Sequence, residues 1–314
     1  MMKDYAYIGL KILDYLIEAV NFLNLGDYEK AKFYIDKAKE LDKDNPLVLL
    51  VDGIINLVEG NIDNAEKDYL KLFLDSNNKS IIALRNLICL CFIKGQYDKV
   101  LEYINKLENI NKICILSPFH KILIYIDRYQ YDLALEEIDK ALKKYPNATP
   151  FYKFKINILY HLGRYRETYE ILEKCLELSP NDAYLWTIKG EILEHFNKPK
   201  EAIEAYITAL NLNKNLKYLY KKLGYLYLEI DDVLMSIKYF EEYLEYNPND
   251  LEAIFYLGLA YEKNKEYNKA IKYYNKVIDS NHNILSKIAR LHKARILENL
   301  GRIEESLEEY NKLF

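Results

Sequence analysis

Apolar residues recur at helical spacing along the chain, as in Leu13, Leu16, Val20 and Leu23, then Phe33, Ile35, Ala38 and Leu41. That spacing gathers apolar side chains on one stripe of an α-helix and leaves charged residues on the other face. Between such stretches stand Gly26, Gly60, Gly95, Gly163 and Gly301, with Asn197 and Asp231 at two equivalent places. These residue types best tolerate the left-handed backbone that ends a helix tightly. No segment alternates with the period of two that a strand requires. The predicted element is therefore a helix, a tight turn and an antiparallel second helix.

The element repeats. Ala31, Ala65, Val100, Ala134, Thr168, Ala202, Ser236, Ala270 and Ser306 follow one another at steps of 34, 35, 34, 34, 34, 34, 34 and 36 residues. Each is preceded three places earlier by a larger or ring-bearing residue, from Tyr28 and Ile62 to Tyr267 and Ile303. A fixed period near 34 is the mark of a solenoid, which grows by stacking and presents a long surface. Within a repeat, Tyr220, Leu223, Gly224, Tyr227, Ser236, Phe240 and Pro248 form a motif that resembles the tetratricopeptide repeat. Trp186, Gly190, Ala202, Tyr206 and Ala209 carry it in the repeat before, and Ile254, Leu257, Gly258, Tyr261, Ala270 and Tyr274 in the one after. The resemblance covers residues 12–314 as nine repeats. It implies an all-α fold, an α-solenoid of antiparallel helix pairs forming a right-handed superhelix. It also implies that the first helix of each pair lines an inner wall along which a peptide can lie.

Departures from the pattern suggest where the solenoid is interrupted. Val100 stands at a small-residue position beside the single 35-residue step, and Ser117-Pro118 and Thr149-Pro150 read as an N-cap followed by proline in the first helical turn. An irregular joint is expected over 109–116, dividing three N-terminal repeats with a short helical extension (1–113) from six C-terminal repeats (114–314). One continuous solenoid with a longer loop is the alternative.

Carried along the repeat register, the inner wall changes character. In the first four repeats it is apolar, with Leu50, Ile54, Phe92, Phe119 and Leu123 among its residues, together with Val20, Ile82 and Cys89. From the fifth repeat on it holds Lys153, Asn157, Tyr160, His161, Tyr184, Thr187, Glu191, His195, Lys221, Lys222, Tyr225, Phe255 and Tyr256. An apolar wall of that length needs a cover: a partner helix or peptide, a second copy of the chain, or residues 1–11, where Met2, Tyr5 and Ile8 form a short stripe. Tighter curvature that buries the wall on itself is the alternative. In the polar part, some members of the resembled family hold a C-terminal carboxylate with Lys and Asn in one repeat, Asn in the next, and Lys and Arg in the third. Lys153, Asn157 and Lys222 match three of those places, whereas Ile188 and Tyr218 occupy two others, so that clamp is incomplete.

Charge and composition narrow the function. The formal net charge is −4, spread evenly and without a basic tail, which disfavours nucleic acid and anionic membrane as principal partners. Only Tyr218, Lys221, Lys222 and Tyr225 combine rings and cations as an RNA surface would. The four cysteines show neither a disulfide framework nor zinc spacing, and fit a reducing compartment. No uncharged apolar stretch reaches the roughly 20 residues of a membrane span. No phosphate loop, catalytic triad order or helical His pair is present. His161 and His195 occupy the same place in adjacent repeats without further ligands. The expectation is a cytoplasmic, non-catalytic scaffold without cofactor or metal, binding a protein or peptide. Self-association is the first alternative and RNA binding the second.

Overall fold

The computed structural model describes residues 2–111, 115–280 and 283–313, with side chains from residue 8 onward apart from residue 283. Among these residues all regular structure is helical. The helices are α1 (Met2–Asn24), α2 (Tyr28–Asp42), α3 (Pro46–Val58), α4 (Ile62–Asp75), α5 (Ile81–Ile93), α6 (Tyr97–Ile110), α7 (Leu116–Asp127), α8 (Tyr131–Lys144) and α9 (Thr149–His161). They continue as α10 (Tyr165–Leu178), α11 (Ala183–His195), α12 (Pro199–Leu212), α13 (Tyr218–Glu229), α14 (Val233–Tyr246), α15 (Leu251–Lys263), α16 (Tyr267–Asp279), α17 (Asn283–Asn299) and α18 (Ile303–Asn311). Odd and even helices pair in sequence, and within each unit every pair packs on the next. The chain divides into two compact units, Met1–Pro146 and Asn147–Phe314. The joint expected over 109–116 falls inside the first unit, and its residues 112–114, Cys114 among them, lie outside the described residues.

The turns within the pairs follow one rule. Gly26 and Gly60 take φ of 76° and 80°, and the next residue closes the helix end with a long backbone bond: Asp27 N–H to Phe22 O at 2.9 Å, Asn61 N–H to Asn56 O at 2.7 Å. Asn197 and Asp231 hold the same conformation at 57° and 62°. Tyr129 (56°) and Lys265 (62°) hold it too, although neither residue type favours it. Their bonds are the same, Gln130 N–H to Tyr125 O and Glu266 N–H to Tyr261 O, so the helix pair imposes the turn and the residue conforms. Several first helices start at a side-chain cap: Asn45 accepts from Leu47 N–H ahead of Pro46, and Asp182 and Asp250 accept from the first turns of α11 and α15. Ser117 and Thr149 are not caps. Both lie inside their helices, α7 beginning after Ile115 and α9 after Ala148, so each proline occupies the first turn without a capping hydroxyl before it.

Packing between the two helices of a pair turns on residues sixteen apart. Beneath Gly53 lies the Tyr69 ring, where an added Cβ would come within 2.6 Å of a ring carbon. Gly190 faces Tyr206 in the same way, Gly224 faces Phe240 and Gly258 faces Tyr274. In three pairs without the ring the first position is larger, Ile88 with Ile104, Ile122 with Ile138 and Ile156 with Leu172, whereas Ala19 stays small opposite Ile35, all of them buried. The nine small residues sit at zero or near-zero exposure in the same seam. Two of them add a bond to the paired helix: Ser236 Oγ donates to Gly224 O at 2.8 Å and Ser306 Oγ to Ala294 O at 2.9 Å.

Candidate functional site

In the second unit, side chains of consecutive first helices meet each other and make a shared face. Tyr184 of α11 donates its hydroxyl to Asn157 of α9, and Lys153 of α9 pairs with Asp182, the cap of α11. Lys222 of α13 reaches back to Glu194 of α11 at 3.0 Å and lies 3.8 Å from Glu191. Forward of it, Lys221 is held between Asp250 at 2.9 Å and Glu252 at 2.7 Å. Tyr225 of α13 meets Tyr256 of α15 edge to face at 4.6 Å, and Glu262 of α15 bonds His292 Nδ1 of α17 at 2.9 Å. The residues named from the register thus come together across α9, α11, α13 and α15, with two exceptions. Thr187 is buried and donates its hydroxyl to Ala183 O at 2.9 Å in its own helix. Phe255 is buried against Tyr274 and His292. Their ridge positions point toward the neighbouring helix and leave little surface.

Second helices feed polar groups into the same face. Tyr206 of α12 donates to Glu194 and receives Lys222 at 3.2 Å, and Tyr274 of α16 donates to Glu262 at 2.6 Å. Burial is the first cause that drives both phenols far above their ordinary range, with the bonded carboxylate second. Tyr160 is raised likewise, by burial and then by Glu191. Burial alone would lower the Lys221 ammonium, but Glu252 and Asp250 outweigh it and raise it. Burial pushes Glu262 up, and the bonds from His292 and Tyr274 more than reverse this. His195 stacks on Tyr165 at 4.0 Å with planes 16° apart and also meets Tyr160, while His161 is exposed beside Tyr160. Among the described residues no group of three or more His, Cys, Asp or Glu is arranged to hold a metal.

Sequence reasoning missed the carboxylates that organise this face, Asp182, Asp250 and Glu252, and the hydroxyls of Tyr206 and Tyr274. Fixed offsets carried the signal. Lys153 and Asp182 are separated by the same interval as Lys221 and Asp250, and Glu194 and Tyr206 by the same interval as Glu262 and Tyr274.

In the first unit the corresponding face is apolar. Leu50 and Phe92 are half-buried against a cluster that includes Tyr69, Leu84, Leu87 and Ile104. Phe119 and Leu123 are half-buried as well, Phe119 edge-on to His120 at 6.1 Å. Ile54 is 39% exposed and Ile82 54%. Much of this wall is therefore covered by its own neighbours, with exposed apolar tips. Ile8 is exposed, and the side chains of Met2 and Tyr5 lie outside the described residues. Cys91 and Cys175 are buried thiols, both raised by burial, and Cys89 is exposed. Among the described residues no helix is long and apolar enough to cross a membrane.

Comparison with known proteins places these features. Residues 15–45 match the family described as tetratricopeptide repeat, 119–234 the Psidin N-terminal TPR repeats region, and 235–313 the anaphase-promoting complex, cyclosome, subunit 3. A TPR repeat-containing protein of Methanocaldococcus jannaschii is 46% identical over 46 residues, 15% of this chain and 14% of that protein's length. The fold is similar to the C-terminal part of a TPR repeat-containing protein from Cytophaga hutchinsonii, with TM-score 0.64, 14% identity, and 76% of this chain and 98% of that one covered. It is similar also to a tetratricopeptide repeat protein from Parabacteroides merdae (TM-score 0.53, 19% identity, 80% and 99% covered). A third similar structure is YrrB, described as a TPR protein with an unusual peptide-binding site (TM-score 0.54, 22% identity, 60% and 98% covered).

Proposed function

The chain is a tetratricopeptide repeat protein, and from that premise we propose that it is a non-catalytic scaffold whose first helices in the second unit bind an extended segment of a partner protein. The observation that carries this reading is the continuous polar and aromatic face shared by α9, α11, α13 and α15. Tyr184 and Tyr218 are 39% and 49% exposed on it, and rings of this kind supply contact area at low entropic cost. The description of YrrB as carrying a peptide-binding site supports the same use of the fold. Buried Cys91 and Cys175 suit a reducing, cytoplasmic setting. The test is selection of 16-residue peptides from a random display library on the full chain, followed by titration of the enriched peptides. Tyr184→Ala with Tyr218→Ala should weaken them tenfold or more while the thermal transition stays in place. Failure to enrich any peptide, or binding indifferent to both rings, overturns the reading.

A second reading, self-association, rests on the exposed Ile54 and Ile82 of the first unit. Sedimentation across a concentration series would show a larger species that Ile54→Ser with Ile82→Ser abolishes; a monomer at every concentration excludes it.

A further inference from the structure

The lysines on the second unit's wall are all engaged by carboxylates of the wall itself. Lys153 has Asp182, Lys221 has Asp250 and Glu252, Lys222 has Glu194 with Glu191 close by, and Lys263 has Asp231 at 3.0 Å. An incoming carboxylate would have to displace one of these partners. The acceptors are in surplus. Glu252 spends one oxygen on a lysine that Asp250 already neutralises, and its side chain is 57% exposed. Glu191 stands 3.8 Å from a lysine bonded more closely by Glu194. On the same face Tyr184, 39% exposed, lies within electrostatic reach of Glu191, and Tyr218, 49% exposed, opens α13, the helix whose Lys221 pairs with Glu252. A carboxylate with spare lone pairs next to an open aromatic face is what a guanidinium prefers, one side bonded and the flat face stacked.

We infer that this wall selects a basic segment, one whose arginines bond Glu191 and Glu252 and stack on Tyr184 and Tyr218. The inference rests on the reading of this face as a peptide site and adds its charge preference. It runs against the acidic terminus that Lys153, Asn157 and Lys222 would have held, because each of those residues is engaged within the wall.

The experiment compares two synthetic 12-residue peptides of identical spacing, one with four arginines and one with four aspartates, by fluorescence anisotropy on the full chain. The arginine peptide should bind at least tenfold tighter and weaken as sodium chloride rises. Glu191→Gln with Glu252→Gln should remove most of that preference. Each change leaves the lysine a second carboxylate, Asp250 for Lys221 and Glu194 for Lys222, so the fold should persist; Glu252→Gln alone, at the more exposed site, repeats the test should the double variant melt early. Equal or tighter binding of the aspartate peptide overturns the inference, as does an arginine preference that survives the double variant. Library peptides that are enriched without basic bias overturn it while leaving the peptide-site reading intact, and absence of any enrichment removes both.

Discussion

Tyr69 and Tyr206 occupy the same place in two units of the chain, and they differ only at the hydroxyl. Each ring fills the hole above a glycine sixteen residues earlier, Gly53 or Gly190, and each is fully buried. Twelve residues before Tyr206 stands Glu194, which accepts the hydroxyl's hydrogen bond; twelve before Tyr69 stands Leu57, and the Tyr69 hydroxyl has no hydrogen-bond partner. Burial pushes the Tyr69 phenol up to about 12, with the charge of Asp68 a lesser cause. The two tyrosines show that helix-pair packing and wall chemistry are separable. The ring is required by the seam, and the neighbour at its polar end decides whether the wall is apolar or hydrogen-bonded.

That separation can be broken by experiment, most forcefully at the rings. Tyr69→Ala and Tyr206→Ala should each cost about 3–5 kcal/mol in urea unfolding, since both leave a cavity under a glycine. An inequality larger than the hydroxyl alone accounts for would show that the seam is not equivalent. Removing the hydroxyl alone should split the pair. Tyr206→Phe loses a bond to a charged acceptor, about 1.5–3 kcal/mol, whereas Tyr69→Phe removes an unsatisfied buried group and should be neutral or stabilising.

Acid should act with opposite sign at Glu262 and at Asp68. Glu262, held below its ordinary value of 4.5, contributes stability that is complete above that value and is lost as pH falls through its lowered native pKa. Asp68 is raised above 3.8 by burial and then by Asp52, so its ionised form weighs against the fold at neutral pH and the penalty disappears on acidification. Hydrogen exchange should show α15 and α17 losing protection on acidification, with Glu262→Gln flattening the response. Asp68→Asn should leave α3 and α4 at least as protected at pH 7, and lower protection there would reverse the assignment. The smallest effect concerns the turns. Lys265→Gly should stabilise by up to about 1 kcal/mol by relieving a left-handed lysine, and Tyr129→Gly by less, because it also loses an edge contact with Tyr131.

Much of this architecture was legible from residue spacing. The small residues at Ala31 through Ser306 gave the period, and Gly26, Asn197 and their equivalents gave the turns. Tyr129 and Lys265 escaped notice because the packed pair, not the local residue, dictates that backbone. The wall was located from register at Lys153, Asn157 and Lys222, yet register says only which way a residue faces. It could not show that Asp182, Asp250 and Glu194 already hold those side chains, since such pairs join residues 28 or 29 apart. Thr187 and Phe255 were placed on the wall by the same register, and ridge packing buries them.

The coupling of each glycine to its ring bears on how such a chain can be copied and rearranged. A duplication or exchange whose breakpoint falls between the two helices of a pair can join Ile122 to a descendant of Tyr206, or Gly190 to one of Ile138, producing a collision in the first case and a void in the second. A breakpoint between pairs moves both partners together and leaves the seam unchanged. The heritable module is therefore the matched helix pair, and surviving recombinants should carry their junctions in the loops that precede the odd-numbered helices.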